Sequence, residues 1–118
     1  MKKDLTTLFT GRHCTFLPEI DSTNTYLSGI LHNISLPEGS VIRAMKQNIG
    51  RGQQGSIWES ESGKNLLLSF LFYPSFIASK DVFLLNKTFA LGIYDFISKY
   101  LGKKVSIKWP NDIYWENK

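Results

Sequence analysis

Asn65-Leu66-Leu67-Leu68-Ser69-Phe70-Leu71-Phe72-Tyr73 is the stretch from which the fold can be worked out. It is apolar apart from its first residue and Ser69, and it stands between Gly63 and Pro74. A short apolar run flanked in this way predicts a strand buried on both faces rather than a helix. Upstream, residues 50–63 are rich in glycine and polar side chains and read as a long loop, a kind usually either functional or disordered. Residues 40–47 read as a strand, with Val41 and Ile42 at its start. Leu36-Pro37-Glu38-Gly39 is a turn. Before it, Asp21 or Ser22 can cap a helix running to about Leu31, because Tyr26, Leu27, Ile30 and Leu31 recur at helical spacing. Residues 14–17 make a short strand that Pro18 should close.

Downstream, residues 80–101 are the clearest helix. Val82, Leu85, Phe89, Ile93, Phe96 and Tyr100 form an apolar stripe at steps of three and four, and Gly102 ends it. Residues 105–108 are a strand candidate, Pro110-Asn111-Asp112 a turn, and residues 113–115 resume an extended pattern. Strand, helix, strand, loop, strand, helix, strand, strand is an α+β order, with helices packed on a mixed sheet. No repeat and no linker divides the chain.

The bulk properties narrow the function only a little. The chain has 118 residues, 42% hydrophobic and 20% charged, ordinary for a folded globular chain. The 8 Phe, 5 Tyr and 3 Trp are enough to fill a core. A net charge of +4 suits an anionic ligand or partner without choosing among phosphate, carboxylate, acidic protein and nucleic acid. The single cysteine, Cys14, rules out an internal disulfide and a cysteine metal cluster, so no metal ligands are assigned. The apolar run 66–73 is far too short to span a bilayer, and the first residues do not lead into a secretory apolar core. The expectation is a soluble protein of a reducing, cytoplasmic compartment, without membrane contact.

Three motifs carry chemistry. In Asp21-Ser22-Thr23-Asn24 the short oxygen side chains suit a helix cap. They equally suit a polar cluster reading a small ligand, since hydroxyls both donate and accept hydrogen bonds. The second motif is Gln47-Asn48-Ile49-Gly50-Arg51-Gly52-Gln53-Gln54-Gly55, leading to Trp58. Its glycines let backbone N–H groups approach anionic oxygens, Arg51 can grip a carboxylate or phosphate, and Trp58 offers a flat face to a purine or to the core. It is neither a Walker A loop nor a dinucleotide fingerprint. In Lys108-Trp109-Pro110-Asn111-Asp112, Lys108 can face phosphate, and Asp112 can orient a lysine or a magnesium-bound phosphate. The plain alternative is an ordinary turn with Trp109 in the core.

Together these segments resemble the biotin–protein ligases. The family pattern has Ser-Thr-Asn at the first catalytic helix, a Gln before a Gly-Arg-Gly loop and a Trp, a Gly-x-Asn-Leu entering an apolar strand (here Gly63-Lys64-Asn65-Leu66), and then Lys-Trp-Pro-Asn-Asp. The resemblance covers residues 13–118. It implies the fold shared by biotin and lipoate ligases and class II aminoacyl-tRNA synthetases, with a mostly antiparallel sheet flanked by helices. It also implies ATP-dependent activation of biotin to biotinyl-5′-AMP, and transfer to a lysine of a biotin carboxyl carrier protein such as an acetyl-CoA carboxylase subunit. Biotin and ATP would be substrates, with Mg2+. Ser22, Thr23, Asn24, Gln47, Gly50, Arg51 and Gly52 would bind biotin. Arg51, Gln53, Trp58, Lys108, Asn111 and Asp112 would bind ATP, with Arg51, Lys108 and Asp112 in the catalytic role.

The sequence departs from the pattern at two places. Gln53 and Gln54 stand where the family usually has arginines in a Gly-Arg-Gly-Arg-Arg-Gly loop; an amide keeps hydrogen bonding and loses charge. The further lysine that follows Lys-Trp-Pro-Asn-Asp aligns just beyond Lys118, as do the later strands and the small C-terminal β-barrel. The expectation is therefore that residues 1–118 are a partial catalytic domain with little or no ligase activity alone. The short segment ahead of Ser22 is too small for a winged helix, so no DNA binding is expected. The rival readings are a lipoate–protein ligase, an inactive fragment that binds biotin or dimerises through open sheet edges, and a small nucleic-acid-binding protein.

Overall fold

The structure, a computed structural model, describes residues 7–118. They divide into two compact units, one reaching to Tyr73 and the other Pro74–Lys118. In chain order the elements are β1 (Cys14–Ile20), α1 (Thr23–Ile30), β2 (Val41–Gln47), β3 (Gly50–Arg51), β4 (Ile57–Trp58), β5 (Leu67–Phe70), α2 (Phe83–Leu101), β6 (Val105–Lys108) and β7 (Asp112–Trp115).

The first unit is built on a mixed three-stranded sheet ordered β1-β2-β5. β1 runs parallel to β2, and β5 runs antiparallel to it. The crossover from β1 to β2 holds α1, as a parallel pair requires. Side chains alternate across β2, so Ile42 and Ala44 point to the same face, at 2% exposure each. Their β5 partners are Ser69 and Leu67. Leu27 of α1, Ile42 and Leu71 form the core, with Leu17, Tyr26, Ile30, Leu31 and Leu36 packed against it. Each fully buried Leu or Ile contributes about 1.5–3 kcal/mol over its exposed state. The entry to β2 is pinned by a chain of backbone bonds, Gly11 N–H to Gly39 C=O at 2.9 Å and Gly39 N–H to Leu71 C=O at 2.8 Å. Gly39 is required there: its φ is +79°, and a Cβ would stand 2.6 Å from the Phe9 ring.

Several expectations are corrected. Pro18 does not close β1, which continues to Ile20. β1 is an edge strand of its sheet, and its pairing with β2 passes from Leu17–Ala44 to Glu19–Lys46, so the missing N–H of Pro18 is never called on. β5 is not buried on both faces. Leu67 and Leu71 are covered, whereas Phe70 and Leu66 on the opposite face are 47% and 74% exposed. The segment 50–63 is not a loop throughout: Gly50 pairs with Trp58 and Arg51 with Ile57 in a small antiparallel hairpin. A tight turn at Gln53–Gly55 joins its two arms, with Gln54 and Gly55 both at positive φ.

In the second unit α2 packs on the antiparallel hairpin β6–β7, in which Lys108 stands opposite Asp112. The helix starts at Phe83, after a short tight turn at Ser79–Asp81, and Gly102 caps it. The expected stripe is not the covered one. Val82, Phe89, Ile93, Phe96 and Tyr100 are exposed and only Leu85 of the stripe is half-buried, while Ala90 is buried and Tyr94 and Ile97 are half-buried. Both sides of α2 are apolar, so periodicity alone cannot say which of them meets the hairpin. Trp109, at the turn after β6, lies on the surface at 62% exposure rather than in a core.

Candidate functional site

The start of α1 and the end of β2 meet on the first unit. Ser22 is the N-cap of α1, with an extended backbone, and its Oγ accepts from the Thr25 N–H at 3.3 Å. Thr23, the next residue, offers a free helix-start N–H. The Gln47 side chain takes it: Oε1 accepts from the Thr23 N–H at 2.8 Å and from the Thr23 hydroxyl at 3.0 Å. The Thr23 hydroxyl is also 2.9 Å from the hydroxyl of Ser69 on β5. Ser22 and Thr23 are each 3% exposed.

This polar group forms one wall of a cleft of about 220 Å³. Ser22, Thr23, Asn24, Gln47 and Arg51 line it together with Leu66, Leu67, Leu68 and Ser69. It is smaller than the usual pocket for a drug-sized ligand, roughly 300–1,000 Å³, and of a scale for a small ring system. Gly50 lies where the cleft wall turns into the β3–β4 hairpin. A Cβ at that position would overlap the Trp58 carbonyl oxygen and stand 3.0 Å from Gln47 Nε2, so the close approach of hairpin and amide needs glycine. Gly52 binds the hairpin back on itself, its N–H donating to the Ser56 carbonyl at 2.7 Å. Gln53 is in the turn, and Trp58 stands in β4, 59% exposed.

The expected biotin-side residues Ser22, Thr23, Asn24, Gln47 and Arg51 are thus brought to one cleft, with Gly50 and Gly52 in the hairpin that continues from it. Lys108, Asn111 and Asp112 belong to the second unit, around the turn between β6 and β7. Trp109 meets the Phe83 ring edge-on at 5.6 Å, and Lys87 Nζ sits 5.4 Å from the centroids of both rings. Ser69 was missed from the sequence. Its signal was there: a hydroxyl inside an apolar run, at a position whose parity matches the inward-facing Leu67 and Leu71.

An electrostatic perturbation lies on β1, at the edge of the first unit's sheet. Hydrogen bonding to Lys46, joined by Asn48, holds the Glu19 carboxyl below its usual range. Among the described residues no group of three or more His, Cys, Asp or Glu is placed to hold a metal ion, and no helix is long and apolar enough to cross a membrane.

Fold and site together define an α+β protein with a small polar cleft at a helix start, followed by a glycine-rich hairpin. Residues 16–118 match the model of the biotin/lipoate A/B protein ligase family, and the chain belongs to that family. It is 31% identical over 103 residues to the bifunctional ligase/repressor BirA of Bacillus spizizenii, covering 87% of this chain and 31% of that protein. It is 33% identical over 108 residues to the protein of the same name from Escherichia coli, covering 92% of this chain and 33% of the relative. The chain therefore spans about a third of the length of these curated relatives. Among solved structures, the biotin protein ligase from Aquifex aeolicus in complex with biotin and ATP superposes with a TM-score of 0.72 at 29% identity, over 87% of this chain and 41% of that one.

Proposed function

We propose that this chain supplies part of a site for ATP-dependent biotin activation and transfer, with the cleft of the first unit taking the biotin ring system. The observation that carries the reading is the hydrogen-bonded wall at the start of α1, where Thr23, Gln47 and Ser69 are joined at 2.8, 3.0 and 2.9 Å. Such a wall suits a ureido ring, which has both N–H donors and a carbonyl acceptor. It does not suit the apolar dithiolane of lipoate, which would leave the wall's polar groups without ligand partners. Ser22, Thr23, Asn24 and Gln47 would read the ring, while Leu66, Leu67 and Leu68 supply apolar surface. Gly50, Arg51 and Gly52 would take the carboxylate and the nucleotide phosphate. Gln53 and Trp58, and Lys108, Asn111 and Asp112 on the second unit, would serve ATP.

In the first step a biotin carboxylate oxygen attacks the α-phosphorus of ATP, and the bond to pyrophosphate breaks. Two anions must approach, so the charge of Arg51 and the backbone N–H groups of the hairpin are the chemistry the step needs. In the second step a carrier lysine amine attacks the acyl carbon of the mixed anhydride and AMP leaves. Asp112 would orient that amine. The partner would be a biotin carboxyl carrier protein. Mg2+ would enter as the ATP complex. A site with a single candidate carboxylate, Asp112, fits an ion held largely by phosphate oxygens, as Mg2+ commonly is.

The test is adenylate formation by the chain itself. Biotin, ATP and Mg2+ are mixed with it, lipoate is run as the control, and biotinyl-AMP is sought by mass spectrometry. Biotin-specific adenylate supports the biotin reading and shows that residues 1–118 suffice for the first step, whereas biotin binding without adenylate supports a partial site. A chain that forms lipoyl-AMP instead, or that binds neither acid by calorimetry, refutes the biotin reading.

A further inference from the structure

Ser69 lies within β5, and its hydroxyl is directed to Thr23. The direction of that bond follows from counting protons. The Thr23 N–H can only donate, so the Gln47 atom 2.8 Å away must be the amide oxygen, which settles how that amide is turned. This oxygen carries no hydrogen. The Thr23 hydroxyl, 3.0 Å from it, must therefore place its own proton between them. A hydroxyl has one proton. The proton in the 2.9 Å Thr23–Ser69 contact is then that of Ser69, and the relay runs from Ser69 to Thr23 to Gln47. Ser69 is left with lone pairs alone for anything entering the cleft it lines. Ser22 is the converse: its oxygen already accepts from the Thr25 N–H, and its proton remains available. The cleft thus offers a donor at Ser22 and an acceptor at Ser69.

We propose that Ser69 is a specificity-determining residue of the biotin-ring site, presenting an acceptor-only oxygen that takes a ligand ring N–H and repels a ring oxygen at the same place. The inference rests on the biotin reading of the cleft and adds to it a residue and a direction. A site built to accept an N–H rejects an analogue that offers a lone pair there, because two acceptors are left facing each other.

Calorimetry on the full chain tests it with three ligands: biotin, and the two cyclic carbamates in which one or the other ring N–H is replaced by a ring oxygen. The unsubstituted protein is expected to bind one carbamate at least about tenfold more weakly than biotin. In Ser69→Ala, biotin should weaken about tenfold while that carbamate changes by less than about threefold, so the discrimination collapses. Ser69→Cys keeps a side chain of similar shape with a poor acceptor, and should behave like the alanine variant. Ser69→Thr keeps the hydroxyl and should retain the discrimination. Equal weakening of biotin and both carbamates in Ser69→Ala and Ser69→Cys would mean a merely structural role and overturn the proposal, as would no change in either variant. In those cases biotin still binds the unsubstituted chain and the functional reading stands. A chain that binds no biotin at all refutes that reading, and this proposal falls with it.

Discussion

Gly50→Ala is the sharpest single perturbation of the cleft, because it acts on its geometry without removing a polar group. The new methyl carbon would overlap the Trp58 carbonyl oxygen, stand 3.3 Å from the carbonyl carbon, and reach 3.0 Å from Gln47 Nε2. The first two neighbours are backbone, and they belong to the strand that pairs with Gly50 itself. Relief therefore requires β4 to part from β3, or Gln47 to turn away. Turning Gln47 weakens the bonds that hold Thr23. Overpacking of this kind costs about 1–3 kcal/mol. Most of it should fall on the hairpin, since the atoms nearest the new one belong to Trp58 and Gln47. Hydrogen exchange should accordingly leave the Ile42 and Ala44 amides nearly as protected as before, and expose the Gly52 amide. Biotin affinity, read by calorimetry, should fall by about tenfold or more, since about 1.4 kcal/mol is a factor of ten. Unchanged affinity together with an intact hairpin would show that the close approach of hairpin and Gln47 does not require glycine at position 50, and would refute the reasoning.

Thr23→Val keeps the shape of a 3%-exposed side chain but strips the relay of its middle hydroxyl, leaving Ser69 without its acceptor. A loss of about 1–3 kcal/mol is expected in urea unfolding, with much of it recovered in the double variant Thr23→Val/Ser69→Ala; additive losses would contradict the pairing. Gly39→Ala meets both a positive φ and a Cβ placed 2.6 Å from Phe9, and should cost more than about 1 kcal/mol, seen as a lowered urea midpoint. Glu19 has its pKa lowered in the folded state by its bonds to Lys46 and Asn48. The stability it contributes is present above its unfolded pKa and is lost as pH falls through the folded one. Glu19→Gln should therefore lower stability at neutral pH, where the Glu19 contribution is present, and converge with the unsubstituted chain as pH falls through the folded pKa, which flattens the acid side; an equal difference down to the lowest pH would contradict the assignment.

Local signals were legible and tertiary choices were not. The α1 cap, the β2 strand and the β6–β7 turn rest on short-range chemistry that a sequence displays directly: an oxygen before an apolar period, β-branched residues in a row, and Pro-Asn-Asp. Pro18 misled because its effect depends on whether its strand lies at an edge, which no local pattern states. The stripe on α2 misled because that helix is apolar on two sides and only the packed partner selects one. The β3–β4 hairpin was hidden by its size, with two residues on each arm, too few to show an alternating pattern. Among the residues that line the cleft, Ser22, Thr23, Gln47 and Arg51 stand in motifs that the sequence displays. Ser69 was passed over because it appeared as an interruption of an apolar run. A polar residue on the inward parity of a strand is better read as a member of a network than as a flaw.

The Ser22-Thr23 segment was open to two readings, helix cap and ligand wall, and the geometry makes them one. A helix start leaves unpaired N–H groups that must find acceptors. Here Ser22 takes the Thr25 N–H, and Gln47, from the next strand, takes that of Thr23. The second bond is long-range, so this part of the cap forms only when α1 is seated against β2. Folding the unit and orienting the polar wall are then the same event. A wall assembled this way has its hydroxyl protons directed before any ligand arrives, and the binding step need not order them. That explains why so small a unit can present a shaped polar cleft: the bonds that orient the cleft are ones the helix needed in any case. It also implies that substitutions at Thr23 or Gln47 will register in both stability and affinity, whereas loss of the Ser69 hydroxyl, which is not required for the cap, should register chiefly in which ring the cleft accepts.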